Sequence, residues 1–276
     1  MISADDLERP ERWGGAPLDA LAGLHYSPSR RYLLGALENP HGSGAGIWGA
    51  SGNLIAFFVD CSRLAWLPDE SGFFRVSQRQ QSLHFELWKW PGSQLRDGLA
   101  MPCPTARVGG YMPMVAANGA YAAVSIYSGQ SEARYELFQL TPQLCHLGGM
   151  AYRHAEGGFR AMAFSPDSAL FALASSEARC WWVGDDDADY DVPAKGGEVE
   201  WAALYLHRIG EDSPRRYSLR TRVALGFLPT EALADHPWAR GLRFVDAQTV
   251  ELDLPWGGSA RVKPAESEVL LLPPPA

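Results

Sequence analysis

Lysine is scarce. Only Lys89, Lys195 and Lys263 stand among 24 basic residues, against 32 acidic ones, for a net charge of −8. A chain without a basic footprint does not displace counterions from phosphate, so a general nucleic-acid binder is excluded. Docking on anionic lipid is disfavoured for the same reason. The excess of arginine over lysine reads as the genome composition of a GC-rich bacterium. Cysteine is equally sparse: Cys61, Cys103, Cys145 and Cys180 stand alone, and no C-x-x-C spacing suggests zinc or redox chemistry. Four separate reduced thiols are expected, with two disulfides as the alternative. No apolar run approaches the roughly 18 residues of a membrane span. The start, MISADDLERPERW, carries no signal-peptide h-region. A cytoplasmic location, away from any membrane, is the expectation. Also missing are a G-x-S-x-G elbow, a P-loop and an H-E-x-x-H helix.

What is present is strand and turn. The chain has 276 residues, 46% of them hydrophobic, with ten tryptophans, enough for a large core on flat side chains. From Leu24 onward, short alternating apolar runs are separated by clusters of Gly, Pro, Asn, Asp and Ser, the signature of strands and turns. The clearest case is AFSPDSALFALASS, residues 163–176. Pro166 fixes φ for a turn, and Asp167 can accept from the backbone two residues on. The unit recurs. SPSRRYLLGAL begins at 27, LPDESGFFRVS at 67, AANGAYAAVSI at 116, SPDSALFALAS at 165 and FVDAQTVELDL at 244, offsets of 40, 49, 49 and 79 residues. A short apolar strand leads into each: LHY, RLAW, YMPMV, RAMAF and LRF. An aromatic strand follows in HFELWKW, RYELFQL and WAALYLHRI, with AGIWGAS as a weaker counterpart.

These hairpins and their spacing resemble the first two strands of a blade in a WD-repeat β-propeller. The Trp-Asp and Gly-His signatures of that family are absent, so its polar network is carried over to no residue here. The resemblance implies an all-β, β-propeller-like fold of four-stranded blades. Five are visible and the last gap has room for a sixth; a β-sandwich is the alternative. Residues 23–276 are then one propeller-like domain with an acidic insert at 178–198. The segment 1–22 is a candidate partner for a last strand at Val269–Leu272, which would close the ring.

Chemistry is thinly signalled. Gly44 to Gly49 match G-x-G-x-x-G, but the residues that follow read as turn and strand, where a dinucleotide site needs a helix. The seven histidines are scattered singly. Cys145 and His146 are neighbours on a strand, so they point to opposite faces. The most unusual stretch is the insert, with Trp181, Trp182, Asp185, Asp186, Asp187, Asp189, Tyr190 and Asp191. A solvated loop, a partner-binding loop and a calcium loop are the three readings. The EF-hand spacing is missing, so no metal and no cofactor are expected. The remaining tryptophans read as packing, with two or three on one loop face able to form a hot spot. The leading expectation is a non-catalytic scaffold that binds another protein, a basic one, as a bacterial immunity or antitoxin-type protein would. The rival is a propeller hydrolase or lyase with carboxylates or a metal at a central channel, the candidate carboxylates being Asp60, Asp69, Asp167 and Asp246. A purely structural subunit is the third reading.

Overall fold

The structure is a computed structural model. It describes residues 2–3, 25–39, 42–59, 64–103, 110–129, 132–153, 160–175, 198–222, 241–253, 259–263 and 269–272. Among these there is no helix, and the strands form five sheets, one for each hairpin read from the sequence. The first contains β1 (Ile2–Ser3), β2 (His25–Tyr26), β3 (Tyr32–Asn39), β4 (Gly42–Gly49) and β5 (Leu54–Val59). The second runs β6 (Leu64–Trp66), β7 (Gly72–Arg79), β8 (Ser82–Lys89) and β9 (Gln94–Pro102). The third runs β10 (Gly110–Val115), β11 (Tyr121–Gly129), β12 (Glu132–Gln139) and β13 (Cys145–Arg153). The fourth runs β14 (Arg160–Phe164), β15 (Leu170–Ser175), β16 (Glu198–Arg208) and β17 (Arg215–Arg222). The fifth runs β18 (Leu242–Phe244), β19 (Val250–Asp253), β20 (Ser259–Val262) and β21 (Val269–Leu272). In sheets two to five the strand order follows the chain order. This is the all-β, propeller-like repeat that the hairpins imply.

Two compact units divide the chain: residues 1–128 with 135–148, and residues 129–134 with 149–276. In the first unit the second sheet is covered on both faces. Alternation along β7 sends Phe73 toward Leu34, Ala45, Ile47 and Phe58 of the first sheet. Phe74 and Val76 go the other way, against Ala122, Val124, Ile126 and Phe138 of the third. A strand buried on both faces needs apolar residues at consecutive positions, which is why GFFRVS lacks the plain alternation of a half-exposed strand. In the second unit Ala172, Ala174, Leu204 and Leu206 of the fourth sheet pack with Val250, Leu252, Ala260 and Val262 of the fifth. The central strand β15 is buried along its whole length.

The glycine-rich stretch 44–49 lies in β4, a third strand of its sheet, and opens no helix. The Trp48 ring lies over Gly46, where a Cβ would approach it to 2.5 Å. The glycine is a packing requirement. Val269–Leu272 is a strand, paired antiparallel with Ser259–Val262. Ile2–Ser3, the only described part of residues 1–22, pairs with β3.

Candidate functional site

Four of the five hairpin turns share one backbone hydrogen-bond pattern, and the fifth closes one residue shorter, the Val245 amide donating to the Thr249 carbonyl at 2.9 Å. In the fourth, the Ser168 amide donates to the Ser165 carbonyl (2.8 Å) and the Ser165 amide to the Leu170 carbonyl (2.9 Å). Asp167 accepts from the Ala169 amide at 3.0 Å and from the Ser165 hydroxyl at 2.6 Å. Asp69 accepts from the Ser71 amide at 2.9 Å and its hydroxyl at 2.7 Å. Asn118 accepts from the Ala120 amide at 2.9 Å. Asp246 takes the Gln248 and Thr249 amides, both at 2.7 Å. Arg30, Glu70, Gly119 and Ser168 occupy the same place in four turns, all with φ between 56° and 69°. A side-chain acceptor that closes the turn offsets the cost of this left-handed residue.

The pattern decides what the aspartates do. Amide and hydroxyl donors hold all three below the ordinary range: chiefly the Ser71 amide at Asp69, the Ser165 hydroxyl at Asp167 and the Gln248 amide at Asp246. A general acid at neutral pH needs the opposite shift. Of the enzyme reading's four carboxylates, three are therefore turn closures; Asp60 lies outside the described residues.

Glu70 plays a different part. It accepts from the Ser29 amide, from the Ser29 hydroxyl at 2.7 Å and from Arg31 Nη2 at 2.8 Å, so it ties the second turn to the first. Burial pushes its carboxyl up, but the Ser29 and Arg31 contacts outweigh that and leave it at about 2.

Deeper in the sheets lie charges that sequence reasoning missed. Glu86 (6% exposed) pairs with Arg75 Nη1 at 3.4 Å and Arg79 Nη2 at 3.0 Å, and accepts from Trp88 Nε1 at 3.0 Å. The Arg75 guanidinium also lies 5.3 Å from the centre of the Phe58 ring. Glu136 (1% exposed) meets His146 Nε2 at 2.7 Å. In the fifth sheet, Glu251 is flanked by Arg243 and Arg261, which hold its carboxyl down against the effect of burial. A strand glutamate looks solvated in a sequence. The available signal was its recurrence in FEL and YEL of two third strands.

Trp48, Trp66 and Trp90 are core residues and Trp88 is half-buried against Phe73, so packing is their role. His207 is buried, with Nε2 2.7 Å from the Glu211 carbonyl. Cys103 and Cys145 are both thiols, outside any disulfide. Among the described residues, no three His, Cys, Asp or Glu side chains are grouped to hold a metal ion. No helix among them is long and apolar enough to cross a membrane.

The expected binding residues Trp181, Trp182, Asp185, Asp186, Asp187, Asp189, Tyr190 and Asp191 lie outside the described residues, within 176–197. Their anchors are described. The tract leaves from Ser175 and returns at Glu198, at the end of the fourth sheet away from its Ser165–Ala169 turn. There β16 runs on past its last pair with β15, Ser175 with Ala203. Among the described residues it is then paired with β17 alone, Glu198 opposite Arg222 and Glu200 opposite Arg220. Five residues at about 3.3 Å each take β16 about 16 Å beyond the pair with β15.

No family model matches the sequence, and no curated protein matches it. Solved structures are similar in fold. The Dos1 propeller superposes with a TM-score of 0.52 at 10% identity, over 92% of this chain and 58% of that one. A Myceliophteria thermophila Cps50 (Swd1) β-propeller domain gives 0.48 at 8% identity, over 90% and 70%. TolB from Acinetobacter baumannii gives 0.41 at 10% identity, over 91% and 53%. The chain thus spans little more than half the length of the first and last of these. At 10% identity the likeness to the Dos1 propeller speaks for a β-propeller fold alone.

Proposed function

We propose that this chain is a non-catalytic β-propeller scaffold that binds another protein, a basic one, in the bacterial cytoplasm. It would neutralise that partner as an immunity or antitoxin-type protein does. The observation that carries the reading is the mount of the acidic tract. Among the described residues β16 continues past its last pair with β15, and the stretch of chain between these two strands contains five aspartates, Trp181, Trp182 and Tyr190. Aromatics anchor protein interfaces, and clustered carboxylates speed the encounter with a cationic surface. The commitment of Asp69, Asp167 and Asp246 to backbone amides favours a scaffold over a hydrolase or lyase.

The test compares the tagged chain with a variant carrying Asp→Asn at 185, 186, 187, 189 and 191, in extract of the native cell. A stoichiometric basic protein should be retained by the parent at about 50 mM salt and released near 500 mM, as screening requires. The variant should not hold it. Identical retention by both proteins would sink this reading.

A further inference from the structure

The first hairpin turn carries its charge differently from the others. At the left-handed place where the second, third and fourth turns have Glu70, Gly119 and Ser168, it has Arg30, with φ 59°. The Arg30 guanidinium lies 5.6 Å from the centre of the Tyr26 ring, and both side chains are exposed, Tyr26 by 40%. Among the described residues no carboxylate pairs with Arg30. Beside it the Arg31 side chain is 67% exposed, its guanidinium 5.7 Å from the centre of the Tyr32 ring.

The same turn already holds one carboxylate. Glu70 is gripped by the Ser29 amide, the Ser29 hydroxyl and Arg31 Nη2, so amide and guanidinium donors meet an anion here. Arg30 takes no part in that grip. A guanidinium laid on an aromatic ring keeps its planar fork of N–H donors in place before any ligand arrives, which lowers the entropic cost of binding. Arginine and tyrosine are also frequent anchors of protein interfaces. The chain as a whole has a net charge of −8 and repels an anion at long range, so an acidic ligand held here is held by local geometry.

We propose that Arg30 on Tyr26, with Arg31 beside it, is a docking point for an acidic segment of a protein partner. One aspartate or glutamate of that segment takes the Arg30 fork as a bidentate pair, with the Tyr26 ring under the guanidinium. The surface belongs to the first unit, is opposite in charge to the acidic tract and does not depend on it.

The probes are two capped peptides, GEEGEEG and its glutamine counterpart GQQGQQG, titrated into the full chain at low salt. The readouts are the NMR signals of the Arg30 Nε–H and the Tyr26 amide. Saturable shifts are expected at about millimolar glutamate peptide, and none with the glutamine peptide. Raising salt from about 20 to 200 mM should weaken binding about threefold or more. Arg30→Gly removes the fork and keeps the turn, because glycine suits φ 59° as it does φ 69° at Gly119. Binding to that variant, read on Tyr26, should be about three- to tenfold weaker. Arg30→Lys keeps the charge without the fork and should bind about two- to threefold less tightly than the parent. Unmoved signals, equal binding of the two peptides, or an Arg30→Gly variant that binds as the parent does would each overturn the site. Equal affinities of Arg30→Lys and the parent would overturn the bidentate pair. Inorganic phosphate that saturates the same signals at least as tightly would assign the surface to a free anion, and the protein-segment proposal would fall. Dimerisation of the full chain that Arg30→Gly abolishes would put a second copy's carboxylates there, with the same result.

Discussion

The two faces of the second sheet meet their neighbours with different chemistry. Toward the first sheet stand Phe73, Arg75, Glu86 and Trp88, with Phe58, Tyr32, Trp66 and Trp90 around them. Toward the third stand Phe74, Val76, Phe85 and Leu87, against Val124, Ile126, Phe138 and Leu140. One contact is aromatic and charged; the other is aliphatic apart from its phenylalanines, with Phe85 and Phe138 centred 4.4 Å apart. The backbones nevertheless match. The Trp90 amide bonds the Ser71 carbonyl as the Leu140 amide bonds that of Ala120, which puts Glu86 and Glu136 at the same place in the repeat. Both are buried. Where the second sheet has Arg75, the third has Val124, and its glutamate turns to His146. The repeat fixes where a carboxylate sits, and each sheet finds its own counter-charge.

The largest expected effect breaks or confirms that contrast. Glu86→Ala leaves Arg75, a permanent cation 5% exposed, without its carboxylate. Loss of one partner of a buried pair costs about 3–5 kcal/mol. Glu136→Ala leaves a histidine whose side chain is 31% exposed and which can shed its charge. About 1–3 kcal/mol is expected there, the scale of a lost hydrogen bond to a buried group. Urea unfolding of both variants measures the difference. Equal losses would mean that Arg75 and His146 are interchangeable, and the contrast would be gone.

The turns repeat the comparison on a smaller scale. Glu70 ties turns one and two through Ser29 and Arg31, whereas between turns two and three Gly119 faces Pro68, with room for a Cβ at 3.5 Å from Pro68 Cδ. The folded carboxyl of Glu70, near 2, lies below its ordinary value of 4.5. Its contribution is therefore complete above about pH 4.5 and is lost as pH falls toward 2. Glu70→Gln should cost about 1–2 kcal/mol at neutral pH. It should also flatten the acid limb of the stability–pH curve between about pH 4.5 and 2. A variant with an unchanged acid limb would show that another carboxylate governs it.

Much of the architecture was legible because turns and core strands carry local chemistry. Pro166 with Asp167, Pro68 with Asp69, and Asn118 with Gly119 announce turns, and the apolar runs beside them became β7, β11 and β15. The outer strands β9, β13 and β17 were not legible. QLRDGLAMP, CHLGGMAYR and RRYSLRTR sit at sheet edges, where polar residues and glycine are tolerated and only a few side chains pack, among them Leu99, Met101, Tyr152 and Tyr217. The strand β20, SARV, is too short to show a period. The acidic tract was visible as composition, but its mount on β16–β17 was not, because WAALYLHRI alone does not reveal that its strand begins at Glu198. Parallel pairing of Ile2–Ser3 had no signal either, since it depends on β3 across more than thirty residues of chain.

The smallest effect is the sharpest probe of the aromatic face. Trp66 and Trp90 pack about Tyr32, their ring centres 5.7 and 5.3 Å from it, and neither indole Nε1 has a hydrogen-bond partner among the described residues. Trp88, in contrast, donates to Glu86 at 3.0 Å. Trp90→Phe removes buried surface, which costs stability, and also removes an unsatisfied buried donor, which restores it. These changes are of similar size, so the net should lie within about 1 kcal/mol of the parent. Trp88→Phe has no such relief and takes a donor from a buried carboxylate, so it should cost about 1–2 kcal/mol more. Urea midpoints of the two variants, with a shared slope, decide it. If Trp90→Phe is as damaging as Trp88→Phe, its indole does more than fill space, and the charged and the merely aromatic parts of this face cannot be separated.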